Sequence, residues 1–236
     1  VMSLSGLTLH ASVEASSYSF VIALDTSRSM EANDFAPNRM EAAKKASIDF
    51  VDNLPRATRM SVISFSGNAL IEQGMTDSKS LAKEAIEGII ISEISGSDLV
   101  EAVITGTNLL NSEESKSIIL LSDGQINVGI IDEAIRYAND NNVVIHTIGF
   151  VTIEGVETIF GISKLDEDSL KGLAYNTDGE FFLASNQKNL DDAFRGAIKV
   201  TRRKVAINLG SYILMASVIL FSIEYFLISS RYRRLV

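Results

Sequence analysis

Residues 24–30 read LDTSRSM and place one carboxylate and three hydroxyls, Asp25, Thr26, Ser27 and Ser29, within five residues. Two further stretches are similarly rich in oxygen. Ser122-Asp123-Gly124 follows an apolar run, and Ser95-Gly96-Ser97-Asp98 precedes a helical pattern. Each alone reads as a turn or a helix cap, because Asp and Ser are favoured in both. Brought together, they make an all-oxygen site, which selects a hard divalent cation: Mg²⁺, with Mn²⁺ or Ca²⁺ as alternatives. The chain has no cysteine, so thiolate metal sites and disulfides are excluded.

Bringing them together requires strands that end at one edge. Continuous apolar runs lie at 19–25, 59–67, 116–124, 143–150 and 180–185. Unbroken runs of this kind mark strands buried on both faces. Helical patterns lie between them, at 38–54, 77–90, 98–111, 130–142, 166–177 and 187–200, and ALIEQG (69–74) fits a short edge strand. The alternation predicts a doubly wound α/β fold, with a mostly parallel central sheet and helices on both faces. In such a sheet, ligands bind beyond the carboxyl ends of the strands. Asp25 and Ser122-Asp123 lie at strand ends. Residues 151–165 read as the longest irregular connection and a surface loop.

The residues then resemble a known family. Asp25-Thr-Ser27-Arg-Ser29 looks like the DxSxS motif of von Willebrand factor type A (VWA) domains. Ser97, in SGSDLVEAV, stands where that family usually has Thr, and Asp123, in LLSDG, matches its later Asp. The resemblance covers roughly 17–200 and implies that Asp25, Ser27, Ser29, Ser97 and Asp123 form a metal-ion-dependent adhesion site (MIDAS). Its cation accepts a carboxylate from a protein partner. MEANDFAPNRMEAAKKA (30–46), KLDEDSLKGLA (164–174) and the C-terminal apolar stretch ending in RYRR narrow the resemblance to membrane-anchored VWA proteins of the aerotolerance (Bat) operon type. That type implies other VWA membrane proteins and a MoxR-type AAA+ ATPase as partners. Two departures stand out. Ser97 keeps the hydroxyl of Thr but loses the methyl that restricts its rotamer. Arg28 replaces a common Gly, where it either repels the cation or points outward toward an acidic partner.

Charge separates the chain into two parts. Residues 201–236 carry six basic residues and one acid, so +5 of the net −9, which leaves −14 on residues 1–200. An acidic domain of this kind is a poor nucleic-acid binder. Val205 to Ile223 carry no charge and lie between TRRK and RYRR. Hydropathy therefore predicts a C-terminal transmembrane helix at about 205–230 and a cell-membrane location. Basic residues on both flanks do not set the orientation; the expected arrangement faces the domain outward, with RYRR as the cytoplasmic tail. Glu224 is then an interfacial carboxylate or a contact to another helix. The expected organisation is an N-terminal arm (1–16), the VWA domain (17–200), and a juxtamembrane segment, span and basic tail (201–236). The chain opens on Val1 rather than Met, as expected of a fragment or a processed form, with 1–12 as the remnant of a lost upstream segment.

Catalysis is the competing class. A Mg²⁺-dependent phosphatase of the haloacid-dehalogenase type also places Asp after its first strand, but it needs a second Asp where this chain has Ser27. Phosphate-binding loops of the G-x-x-x-x-G-K-[ST] and G-x-G-x-x-G types are absent. His10 lies in the polar arm, and His146 lies in an apolar strand where a core histidine is expected. No enzyme is expected. A membrane scaffold with a degenerate metal site is the other alternative.

Overall fold

The computed structural model describes residues 8–10, 18–56, 58–93, 96–123, 131–150, 156–158, 161–163, 166–201, 206–208 and 210–232. In chain order the strands are β1 (Thr8–His10), β2 (Ser19–Asp25), β3 (Arg59–Phe65), β4 (Ala69–Thr76), β5 (Lys116–Ser122), β6 (Val144–Phe150), β7 (Val156–Thr158), β8 (Gly161–Ser163), β9 (Phe181–Ala184) and β10 (Ala206–Asn208). The helices are α1 (Arg39–Asn53), α2 (Lys79–Gly88), α3 (Leu99–Leu109), α4 (Ile131–Asp140), α5 (Glu167–Asn176), α6 (Gln187–Thr201) and α7 (Gly210–Tyr232), with a 3-10 turn at Arg28–Glu31. The chain divides into two compact units, Ala15–Thr201 and a second made of Val1–Glu14 with Arg202–Val236.

In the larger unit, six strands order as β4-β3-β2-β5-β6-β9. All neighbouring pairs are parallel except β3–β4, so β4 is an antiparallel edge. The expected edge strand at 69–74 is therefore present and runs to Thr76. Strand β2 explains why the runs are unbroken. Phe20, Ile22 and Leu24 face a core shared with α1, α2 and α6, whereas Val21 and Ala23 face a core shared with α3, α4 and α5. Both faces are covered, so every position from Phe20 to Leu24 is apolar. Asn38 starts α1 by accepting from Glu41 N at 2.8 Å, and Asp98 starts α3 by accepting from Glu101 N at 3.0 Å.

Two expectations change. Within 151–165, the described residues form an antiparallel pair, β7 with β8, rather than a wholly irregular connection. In the smaller unit, β1 pairs with β10 in antiparallel register, Thr8 opposite Asn208. The uncharged run at 205–223 is therefore split. Ala206–Asn208 is strand, and helix begins only at Gly210. From Gly210 to Ile223 the helix rises about 21 Å before Glu224, against a hydrocarbon core about 30 Å thick. Among the described residues, no helix is long and apolar enough to cross a membrane. The single C-terminal span is overturned, and with it the cell-membrane location and outward-facing domain that rested on it. The described side chains of α7, from Leu214 to Phe226 with Ala216 apart, are exposed.

Candidate metal site

Strand β2 delivers Asp25 to the carboxyl edge of the sheet, and the site assembles around it. Asp25 is fully buried. Its Oδ1 accepts from Ser27 N at 2.8 Å, an Asx-type turn that folds the chain back just after the strand. Ser27 and Ser29 stand with hydroxyls 2.9 Å apart. Thr26 takes a different role: its N and Oγ1 both donate to Phe65 O, at 2.8 and 3.0 Å, and pin the end of β2 to β3.

Ser97 arrives from the loop before α3. Gly96 has φ 107°, a conformation that disfavours a side chain, and turns the chain so that Ser97 is buried against Asp25. Ser97 Oγ lies 3.5 and 3.3 Å from Asp25 Oδ1 and Oδ2. Capping falls to the next residue, Asp98, so cap and site residue are distinct. The end of β5 supplies Ser122, whose Oγ donates to Asp25 Oδ2 at 2.5 Å, and then Asp123, which is buried.

The structure thus links Asp25 to Ser27 and Ser97, joins Ser29 to Ser27, and sets Asp123 close enough to act on Asp25 through its charge. All five expected residues share one edge. Arg28, the departure between them, is exposed on the 3-10 turn. The Asp25 carboxyl is pushed up from 3.8 to about 7. Burial is the main cause and the Asp123 carboxylate the next, while hydrogen bonds from Ser122 and Ser27 pull it back.

Three residues were missed by sequence reasoning. Ser122 was read only as part of a loop. Arg39 and Asp34 were read only as part of a family resemblance. Arg39, at the first turn of α1, is 2% exposed. Its Nε donates to Asp34 Oδ1 and Oδ2, both at 2.9 Å, and its Nη2 donates to Asp34 Oδ2 at 2.7 Å. Its Nη1 donates to Asp123 Oδ2 at 3.0 Å. The pairing with Asp123, 84 residues away, leaves no local signal.

The donor set fits a hard cation: two carboxylates and several hydroxyls, all oxygen. Among the described residues, no group of three or more His, Cys, Asp or Glu side chains could hold a metal. Any ion here must rely on serine hydroxyls and water alongside Asp25 and Asp123. His146, buried in β6, is no part of this site; its Nδ1 accepts from Glu180 N at 3.2 Å.

The model of the von Willebrand factor type A domain matches residues 20–125, a span that contains all five residues. A UPF0353 protein of Nocardia farcinica is 29% identical over 197 residues, 72% of this chain and 59% of that protein. The chain therefore spans less than two thirds of that relative's length. An aerotolerance-related membrane protein from Bacteroides fragilis has the same fold, with TM-score 0.69 and 22% identity over 79% of this chain and 100% of that one. BatB from Bacteroides thetaiotaomicron gives TM-score 0.66 and 26% identity over 77% and 99%. Proximal thread matrix protein 1 from the mussel byssus, with a zinc-occupied MIDAS motif, gives 0.64 and 24% over 83% and 48%. The resemblance read from the sequence is thereby borne out: residues 20–125 match the model of the von Willebrand factor type A domain, and Bat-type proteins are among the structural neighbours.

Proposed function

We propose that this domain is a metal-dependent protein-binding module. Asp25, Ser27, Ser29, Ser97 and Asp123 hold a divalent cation, Mg²⁺ first, with Mn²⁺ or Ca²⁺ as alternatives. The observation that carries this reading is the convergence on buried Asp25 of serines from three separate segments, the turn after β2, the loop before α3 and the end of β5, with a second buried carboxylate beside it. A structural turn needs no such convergence. The zinc in the byssus protein's MIDAS motif supports the same use of the fold.

When bound, the cation supplies an open coordination position that an acidic side chain of a partner can fill. The chain's own residues do the rest. Asp25 is rigid because it ends a buried strand, Thr26 locks that end, and the Ser27–Ser29 pair stands at the rim. A cation between two acidic surfaces removes the repulsion that residues 1–200 would otherwise present. Other VWA proteins and a MoxR-type ATPase are the partners that the family resemblance suggests.

The test uses the full chain and its Asp25→Ala variant as bait in cell extract, each with Mg²⁺ and with chelator. A partner retained by the wild type with Mg²⁺ alone is the expected result. Equal retention in all four conditions would show that recognition bypasses this site.

A further inference from the structure

Among the described residues, Asp25, Arg39 and Asp123 are the buried members of the Asp, Glu, Lys and Arg types, and all three lie at this one site. The Asp34 side chain adds a fourth charge, only 7% exposed. Burying a guanidinium is costly unless its donors are paired, and here three bonds go to Asp34 and one to Asp123. The planar fork of arginine can face two carboxylates at once, which a lysine ammonium does less well. The formal count is decisive. With Asp25 ionised, as a bound cation would hold it, Asp25, Asp34 and Asp123 contribute three negative charges, Arg39 returns one, and two remain.

We propose that Arg39 is the selectivity residue of this site: it fixes the residual charge at the value a divalent cation neutralises, and it joins the 32–38 loop to Asp123. This rests on the reading that the site holds a metal. Arg39 need not touch the ion. It acts through Asp123, and through the share of charge it leaves there. Without Arg39 the same oxygens would carry three uncompensated charges, a better match for a trivalent ion. Without the Asp34 carboxylate they would carry one, a poorer match for any multivalent ion. Burial makes these differences count, because screening by solvent is weak there.

The experiment is calorimetric titration of the full chain with Mg²⁺ and, separately, La³⁺. The chains are wild type, Arg39→Met, Arg39→Lys and Asp34→Asn, with circular dichroism to confirm folding. The quantity read is the ratio of La³⁺ to Mg²⁺ affinity, which cancels a general loosening of the fold. Arg39→Met should raise it on the order of tenfold or more, Asp34→Asn should lower it similarly, and Arg39→Lys should leave it near the wild type. A ratio unmoved in both Arg39→Met and Asp34→Asn would make Arg39 a structural clamp only and overturn the inference. If Arg39→Met does not fold, the Asp34→Asn ratio decides alone. Wild type that binds no Mg²⁺ would sink the metal reading itself, and this inference with it.

Discussion

Ser122 Oγ donates to Asp25 Oδ2 at 2.5 Å, between two side chains that are both fully buried and 97 residues apart. This bond helps keep the Asp25 carboxylate tolerable inside the protein, against the burial and the Asp123 charge that penalise it. Ser122→Ala should therefore destabilise the metal-free domain, by about 1–3 kcal/mol for a buried acceptor that loses its donor. Thermal unfolding in chelator checks this. A melting temperature equal to the wild type would show that the bond contributes nothing.

Acid should relieve the metal-free fold at Asp25. The carboxyl titrates near 3.8 when unfolded and at about 7 when folded. Below the lower value it is protonated in both states. Between the two values the unfolded chain gives up its proton first, so the contribution of Asp25 to stability falls as pH rises, and above about 7 the loss is complete. Asp25→Asn removes this dependence. In chelator, the variant's melting temperature should gain on the wild type as pH goes from 4 to 7.5. Mg²⁺ should raise the wild-type value more at pH 7.5 than at pH 5. A constant gap between the two proteins across the range would refute the assignment.

Position 97 carries a separate expectation. Its hydroxyl already faces Asp25, and Asp98 does the capping. Ser97→Thr adds a methyl that restricts the rotamer and should keep or tighten Mg²⁺ affinity, whereas Ser97→Ala should weaken it. Equal affinity for Ala and Ser would remove Ser97 from the ligand set.

Two glycines of the larger unit should respond in opposite directions. A Cβ on Gly179 would lie 1.9 Å from Ile145 O, a backbone atom of β6 that cannot step aside. Gly179→Ala should cost about 3 kcal/mol or more, since backbone must move to admit it. Gly172 lies inside α5 with nothing within 4 Å of a Cβ, so Gly172→Ala should gain about 0.5–1 kcal/mol. Melting curves of both variants report the signs directly.

The larger unit was legible because its four inner strands, β2, β3, β5 and β6, are buried on both faces. Ser19–Asp25, for example, is one unbroken run that begins and ends where the strand does. Asp25, Ser27, Ser29, Ser97 and Asp123 were legible because they follow strand ends or precede a helix, where ligand-binding loops belong. Arg39 was not, because a charged residue at a helix start reads as solvated until distant Asp123, together with nearby Asp34, is known to enclose it. The split at 205–223 was also hidden. Hydropathy averages over a run and does not register that Ala206–Asn208 pairs as a strand with Thr8–His10 while helix starts at Gly210. In both cases the missing information was a contact between segments far apart in sequence.

The central claim is that the Asp25 cluster holds a divalent cation. Calorimetric titration of Mg²⁺ into the full chain at pH 7.5, wild type beside Asp25→Ala, tests it most directly. The account predicts one saturable site in the wild type and none in the variant, with the variant still folded. Absence of binding by the wild type, or equal binding by both proteins, would contradict it.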